Sequence, residues 1–287
     1  MWNLKDKTVV ISGATNGIGK AAALELAKQG PKLLLTYRNQ ELADNLLAEI
    51  KTVSPDVSVE LIYCDFSAQS SIRECATEII SSQDKIDVLI NNAGALFYSR
   101  IESEDGIEKT FALNHLSYFI LSNLLLKHKI IKNGGRIINV ASGAHRGVDI
   151  NFDDIEMVTN YNGWISYKKS KLCNILFTKK LSELALKNNI TVNCLHPGFV
   201  KTGFGKNNTG VVGLIIKFLM TLFAIRVEEG AETIIYLATS NNVKNISGKY
   251  FYESKVNKPS NFAENNKSAD NLWDLSIKIL KNKGLTL

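Results

Sequence analysis

The sequence has no apolar run long enough to cross a membrane, no CxxC pair, and no cluster of His and Cys at metal-ligand spacing. Its most apolar stretch, Val211 to Ile225, is broken by Lys217 and falls short of the ~20 residues a spanning helix needs. The four cysteines, Cys64, Cys75, Cys173 and Cys194, are scattered, as reduced thiols of a cytosolic protein would be, so neither a disulfide framework nor a metal site is expected. The opening MWNLKDK has no apolar core of a secretory leader, and none is expected. No linker-like shift in composition, repeat or low-complexity block interrupts the chain, so one domain over residues 1–287 is expected. Positive charge is in excess at +6, with a pI of 9.0, but the lysines are scattered. A nucleic-acid binder would gather them on one face, so no nucleic-acid partner is expected; anionic small molecules or an acidic membrane surface fit equally well.

What the chain does have is alternation. TVVISG is a short β-branched run closed by glycine, and KAAALELAKQG after it is an alanine-rich helix. KLLLTY, SVELIYCDF, IDVLINNAG, GRIINVASG, ITVNCLHPG and ISGKYFY read as further strands. Helical patterns separate them, the longest over EDGIEKTFALNHLSYFILSNLLLKHKII and WISYKKSKLCNILFTKKLSELALKN. Nearly all-apolar strands alternating with helices predict a seven-stranded parallel sheet covered on both faces, a doubly wound three-layer α/β/α Rossmann fold. Ligands of such sheets bind outside the carboxyl ends of the strands.

The first strand ends in SGATNGIGKAA, with Gly13, Gly17 and Gly19 directly between strand and helix. Glycine permits a tight turn and close approach to a pyrophosphate, and the helix N-terminus offers free N–H groups to that anion. Thr15, Asn16 and Ile18 share this turn. The second strand ends in Tyr37–Arg38, with no Asp or Glu to hold the ribose hydroxyls of NAD. Arginine pairs with a 2′-phosphate where a carboxylate would repel it, so NADP(H) is the expected cofactor. Asp65, with Phe66 in CDF, ends the third strand, where it could accept from the adenine amino group. Asn91, Ala93 and Gly94 in NNAG end the fourth, where small residues let the chain pass close to the ribose.

Three lysines crowd the stretch SYKKSKL. Helical geometry separates them: residues four apart lie within about 40° around the axis, so Tyr167 and Lys171 share a face while Lys168 and Lys169 turn away by roughly 100° and 200°. A tyrosine with a pKa of about 10 exchanges protons poorly at neutral pH, and a neighbouring ammonium is expected to lower that value. Such a pair could give a proton to a carbonyl oxygen receiving hydride, or take one from an alcohol. Ser142 in VASGAH could hold the substrate oxygen. Asn114, a poor interior helix residue, could fix a kink and a water near Lys171.

SGATNGIG, CDF, NNAG, Asn114, Ser142, YKKSK and HPGFVKT stand in the order and spacing of the short-chain dehydrogenase/reductase family, which the whole chain resembles. TYRN, LNHLSYFILSNLLL, YKKSKLCNILFTKKL, VNCLHPGFVKT and SGKYF resemble its retinol dehydrogenase-like branch. The resemblance implies a catalytic tetrad of Asn114, Ser142, Tyr167 and Lys171. In it the tyrosine is the general acid/base, the serine positions the substrate oxygen, the lysine holds the nicotinamide ribose and lowers the tyrosine pKa, and the asparagine supports a relay water. It also implies that Pro197, Gly198 and Thr202 cover the nicotinamide. Ser12 departs from the family's usual threonine. Many lipid-modifying members carry an N-terminal anchor; none is expected here.

The resemblance places a substrate lid at about residues 203–227. The apolar 211–225 segment within it could pack in the core, cover a lipophilic substrate, or touch a membrane surface. Gly203, Gly205, Gly210 and Gly213 would be hinges, and the amphipathic tail NLWDLSIKIL could pack nearby. The expected function is NADPH-dependent exchange of hydride with a hydrophobic carbonyl or alcohol, in a cytoplasmic protein with peripheral membrane contact left open. Pairing of two copies through the two long helices is a further expectation. The alternative is a non-catalytic NADP(H)-binding sensor on the same fold, which would need the glycine turn but not Tyr167 and Lys171.

Overall fold

The computed structural model describes residues 2–198 and 226–285. Thr202 and almost all of the expected lid lie outside the described residues. Eight strands form one sheet: β1 Thr8–Ile11, β2 Lys32–Tyr37, β3 Val59–Tyr63, β4 Ile86–Asn91, β5 Ile131–Val140, β6 Thr191–Leu195, β7 Tyr250–Tyr252 and β8 Lys255–Asn257. Their order is β3-β2-β1-β4-β5-β6-β7-β8, and all neighbours are parallel except β7 and β8. The helices are α1 Gly17–Ala27, α2 Gln40–Val53, α3 Gln69–Ser82, α4 Ser117–Lys127, α5 Gly163–Ala185, α6 Val227–Thr239 and α7 Asn266–Asn282.

Strand residues alternate between two cores because successive side chains point to opposite faces. Val9, Ile11, Leu33, Leu35, Val88 and Ile90 pack with α1, α2 and α6, whereas Val10, Leu34, Leu89, Ile137 and Val192 pack with α3, α4 and α5. Asparagines start four of the helices: Asn16, Asn39, Asn162 and Asn265 each accept a main-chain N–H of the first turn, the geometry asparagine favours at an N-cap. The strand order reverses between β1 and β4, so the crevice outside their carboxyl ends is the binding edge of the sheet.

The doubly wound class is as expected, with three differences. An eighth, antiparallel strand extends the sheet through the two-residue turn Glu253–Ser254, whose φ values of 48° and 60° are left-handed in non-glycine residues. The long helical region predicted over 104–131 begins only at Lys109 and ends at Lys127; left-handed Gly106 closes a turn before it, and Ile131 already pairs with Ile86 in β5. Within it a π-helical turn, Ala112–Leu116, separates the turn Lys109–Phe111 from α4.

The tail helix α7 lies across the seam of α4 and α5, the face expected to pair two copies. Trp273 sits 4.7 Å from the Phe119 ring and stacks on Phe177 at 6.1 Å, and Ser276 bonds the buried His115. Trp273→Ala is expected to cost about 2–4 kcal/mol, since it opens an aromatic cluster that cannot fully collapse. Denaturant unfolding checks this as a lowered midpoint at unchanged slope.

Candidate active site

The crevice is built where β1 and β4 end side by side. The Ser12 hydroxyl accepts from the main-chain nitrogens of Asn92 and Ala93 at 2.7 and 3.1 Å, and the Asn92 amide donates to the carbonyls of Ser12 and Gly13, 3.0 Å each. Serine supplies the same hydroxyl as threonine, so the substitution noted in the sequence keeps this tie. Thr36 of β2 holds the Gly13 N–H at 3.0 Å. Gly13 and Gly17 have left-handed φ of 64° and 54°. A methyl at Gly19 would collide with the Asn92 amide and the Gly13 carbonyl, so only glycine lets α1 start against β4. Thr15 and Ile18 are half-buried beside the turn, and exposed Asn16 caps α1, whose first turn carries no acidic residue. An anion at this helix end meets free N–H groups and no repelling charge. The turn therefore fits a dinucleotide pyrophosphate.

At the adenosine end Arg38 is 60% exposed, with the Asp65 carboxylate 3.7 Å away. Burial works against the Asp65 charge, but the N–H and hydroxyl of Ser67, with Arg38 nearby, hold its carboxyl below the usual range. Two of the residues expected to meet the cofactor have side chains turned into the protein. Asn91 is fully buried and donates to Ser122 and Asn139 inside the sheet, and Phe66 packs in the core. Ala93 is buried against Gly13, and Gly94 is exposed beside Asn114 and Lys171. Pro197 and Gly198 are half-buried beyond β6. The Gly198 N–H donates to His196 Nδ1 at 3.1 Å.

Next to this crevice the structure brings together Asn114, Ser142, Tyr167 and Lys171. Ser142 caps the 3-10 turn Gly143–His145, accepting the Ala144 N–H at 3.1 Å, and its hydroxyl is near enough to that of Tyr167 to work against the rise of the tyrosine pKa. Lys171 Nζ donates to the Val140 carbonyl at 3.1 Å and stands 5.7 Å from the Tyr167 ring centre. Asn114, on the π-helical turn, accepts the Ala95 N–H at 2.8 Å and donates to the Ala95 carbonyl and to Ser170 Oγ, both at 2.9 Å. Ser170 in turn donates to the Tyr167 carbonyl at 2.7 Å. Asn114 thus clamps the chain after β4 to the helix bearing Tyr167. A methyl on Gly94 would stand 3.1 Å from Asn114 Oδ1 and 3.3 Å from Lys171 Nζ. Lys168 and Lys169 are partly exposed, while Lys171 is buried.

A family model described as short chain dehydrogenase matches residues 7–210. Retinol dehydrogenase 13 of Homo sapiens is 38% identical over 280 residues, covering 96% of this chain and 84% of that protein. The chloroplastic short-chain dehydrogenase TIC 32 A of Brassica napus is 35% identical over 287 residues, covering 96% of this chain and 89% of its own. A solved structure from Mycobacterium Paratuberculosis has a TM-score of 0.77 at 26% identity over 98% of this chain and 96% of that one. The chain belongs to the short-chain dehydrogenase family. It is retinol dehydrogenase-like, and the chemistry of its class is oxidoreduction of alcohols and carbonyls with a nicotinamide dinucleotide.

In this short-chain dehydrogenase the proton affinities of the pair differ from the expectation. Burial pushes the Tyr167 hydroxyl up to about 12, opposed only in part by the Ser142 hydroxyl. Burial brings Lys171 down from 10.5 to about 7. The ammonium does not lower the tyrosine, because the same desolvation that disfavours the phenolate disfavours the ammonium. Several supporting groups carried no sequence signal of their own. Buried Glu108 accepts from the N–H groups of Thr110 and Phe111 at 2.8 and 2.7 Å and from the hydroxyls of Tyr161 and Ser166 at 3.0 and 3.1 Å, fixing the start of α5. Trp164 stacks on Tyr167 at 5.7 Å and remains 46% exposed. Among the described residues no helix is long and apolar enough to cross a membrane.

The lysine shift has a consequence for stability. An unfolded lysine keeps its proton to about pH 10.5, whereas folded Lys171 releases it near 7, so between these values the unfolded state binds more protons and stability rises with pH. Below pH 7 the penalty is complete. Lys171→Met is therefore expected to stabilise the cofactor-free protein at pH 7 by roughly 1–3 kcal/mol after the lost bond to Val140 is counted. The gain should shrink toward pH 10. Denaturant melts of both proteins at several pH values check it, and equal stability at pH 7 would contradict it.

Proposed function

We propose that the chain is an NADPH-dependent reductase of hydrophobic aldehydes or ketones, also able to run the reverse alcohol oxidation, with Asn114, Ser142, Tyr167 and Lys171 as its catalytic set. The observation that carries the reading is the grouping of half-buried Ser142 with buried Tyr167 and Lys171, with Lys171 and Asn114 flanking Gly94. The nicotinamide supplies the hydride when bound. A substrate carbonyl oxygen then lies between the hydroxyls of Ser142 and Tyr167. Ser142 holds that oxygen, and Tyr167 donates the proton the developing alkoxide needs. A phenol with a pKa of about 12 is fully protonated at neutral pH yet more acidic than an alcohol, the right state for the reductive direction. Lys171, near pKa 7, exchanges protons readily at neutral pH, and Asn114 keeps the chain around it in place. Arg38, with no acid at the end of β2, favours the 2′-phosphate of NADPH over NADH. The remaining cofactor contacts are assigned to the glycine turn, Asp65, Ala93, Gly94, Pro197, Gly198 and Thr202.

Two features support an apolar substrate. Trp164 extends the Tyr167 ring outward as a half-exposed aromatic ledge. The similarity to Retinol dehydrogenase 13 points to lipophilic alcohols and aldehydes. The single domain, the lid over 203–227 and a peripheral membrane contact through 211–225 belong to this same reading.

Tyr167→Phe is expected to bind NADPH as the wild type does and to lose about 10²–10⁴-fold in kcat. The check is NADPH oxidation across retinal, long-chain aldehydes, steroid ketones and quinones; a variant as fast as wild type on an accepted substrate would end the proposed mechanism. Arg38→Asp is expected to weaken NADPH about tenfold or more while changing NADH little. Fluorescence titration with both nucleotides measures this, and equal effects would remove the NADP assignment.

A further inference from the structure

His145 is fully buried beneath the turn that starts at Ser142, and both of its ring nitrogens are engaged. Nδ1 lies 2.6 Å from the Ser142 carbonyl oxygen, which can only accept, so Nδ1 carries the proton. Nε2 lies 3.0 Å from the main-chain nitrogen of Ser260, which can only donate, so Nε2 presents its lone pair. The ring is thereby held neutral in one tautomer. His196 takes the opposite one, since its Nδ1 accepts the Gly198 N–H. His115 is buried elsewhere, with Nε2 at Ser276 Oγ. His128 is exposed.

The partner of Nε2 belongs to the segment after β8, which is itself fixed to the turn: Arg146 donates to the Lys258 carbonyl at 2.6 Å. Tyr250 of β7 packs edge-on against the His145 ring at 5.2 Å and faces His196 on its other side at 5.8 Å. The end strands of the sheet thus form a platform under the loop that carries Ser142.

We propose that His145 is a positioning residue: as the neutral Nδ1–H tautomer it ties the Ser142 carbonyl to Ser260 and so sets where the Ser142 hydroxyl stands. The proposal rests on the reading of Ser142 as the residue that holds the substrate oxygen. Displacing such a group by about 1 Å can cost on the order of a hundredfold in rate without loss of substrate binding.

Three variants separate the two bonds. His145→Asn keeps a short amide donor near Nδ1, whereas His145→Phe keeps volume and removes both bonds. Ser260→Pro deletes only the donor to Nε2: φ at Ser260 is −71°, already a proline value, and its buried hydroxyl has no partner to lose. Long-range ¹H–¹⁵N spectra of the histidine rings in the wild-type protein should show a neutral Nδ1–H ring that is absent in His145→Asn, and a neutral Nε2–H ring for His196. An Nε2–H ring or an imidazolium at His145 near pH 6.5 overturns the tether. With decanal and NADPH, His145→Phe should lose about 10–100-fold in kcat with KM for NADPH within about twofold, His145→Asn should recover to within about fivefold of wild type, and Ser260→Pro should lose about threefold or more. Equal kcat in His145→Phe and wild type, or an Asn variant as slow as the Phe variant, overturns the positioning role. The spectra need no turnover, so a wild-type protein inactive toward decanal would count against the proposed reaction, and the tether would still be decided by its tautomer.

Discussion

The arrangement of the site turns on one costly act, the removal of the Lys171 ammonium from water. It is 4% exposed, and among the described residues its hydrogen bond goes to the Val140 carbonyl. Among the described residues no carboxylate is paired with it, and the rings of Tyr118 and Tyr167 stand 5.9 and 5.7 Å away. A buried cation with one neutral acceptor gives up its proton easily, which explains the fall to about 7. The same dryness holds the Tyr167 proton in place. The pair is thus poised by desolvation rather than by mutual attraction, and the fold must supply the free energy that keeps both groups inside.

Polar clamps anchored in the sheet and helices keep the surrounding chain in place. Asn114 satisfies both main-chain groups of Ala95 and reaches across to Ser170, joining three segments with one amide. Ser12 and Asn92 lock the glycine turn to the end of β4, and Glu108 gathers four donors at the start of α5. Each clamp satisfies buried polar groups that would otherwise be destabilising by about 1–3 kcal/mol apiece. Together they hold Asn114, Tyr167 and Lys171 on helical elements.

Much of this was legible in the sequence. Apolar strands alternating with helices specify the doubly wound sheet, and spacing alone separates Tyr167 and Lys171 from the wetter Lys168 and Lys169. The glycine turn reads directly as a strand-to-helix junction. What was not legible depends on burial or on unusual turns. The hairpin to β8 bends at Glu253–Ser254, where no Asn-Gly or Gly signal marks left-handed residues. The reversal of the tyrosine shift follows from how deeply the pair is buried, which spacing does not report. Asn91 and Asn92 look interchangeable in NNAG, yet β4 pleating sends Asn91 into the interior and Asn92 toward the glycine turn. The π-helical turn is hinted at by an asparagine in a helix, but its geometry comes from the two bonds to Ala95.

The claim on which all of this rests is that Lys171 is desolvated enough to titrate near neutrality in the cofactor-free protein. Lysine labelled with ¹³C at Cε, followed by NMR from about pH 5 to pH 11 and assigned through Lys171→Met, measures it directly. The account predicts one lysine signal, lost in that variant, with a midpoint of about 7. A Lys171 signal that titrates with the other lysines above about pH 10 would contradict it.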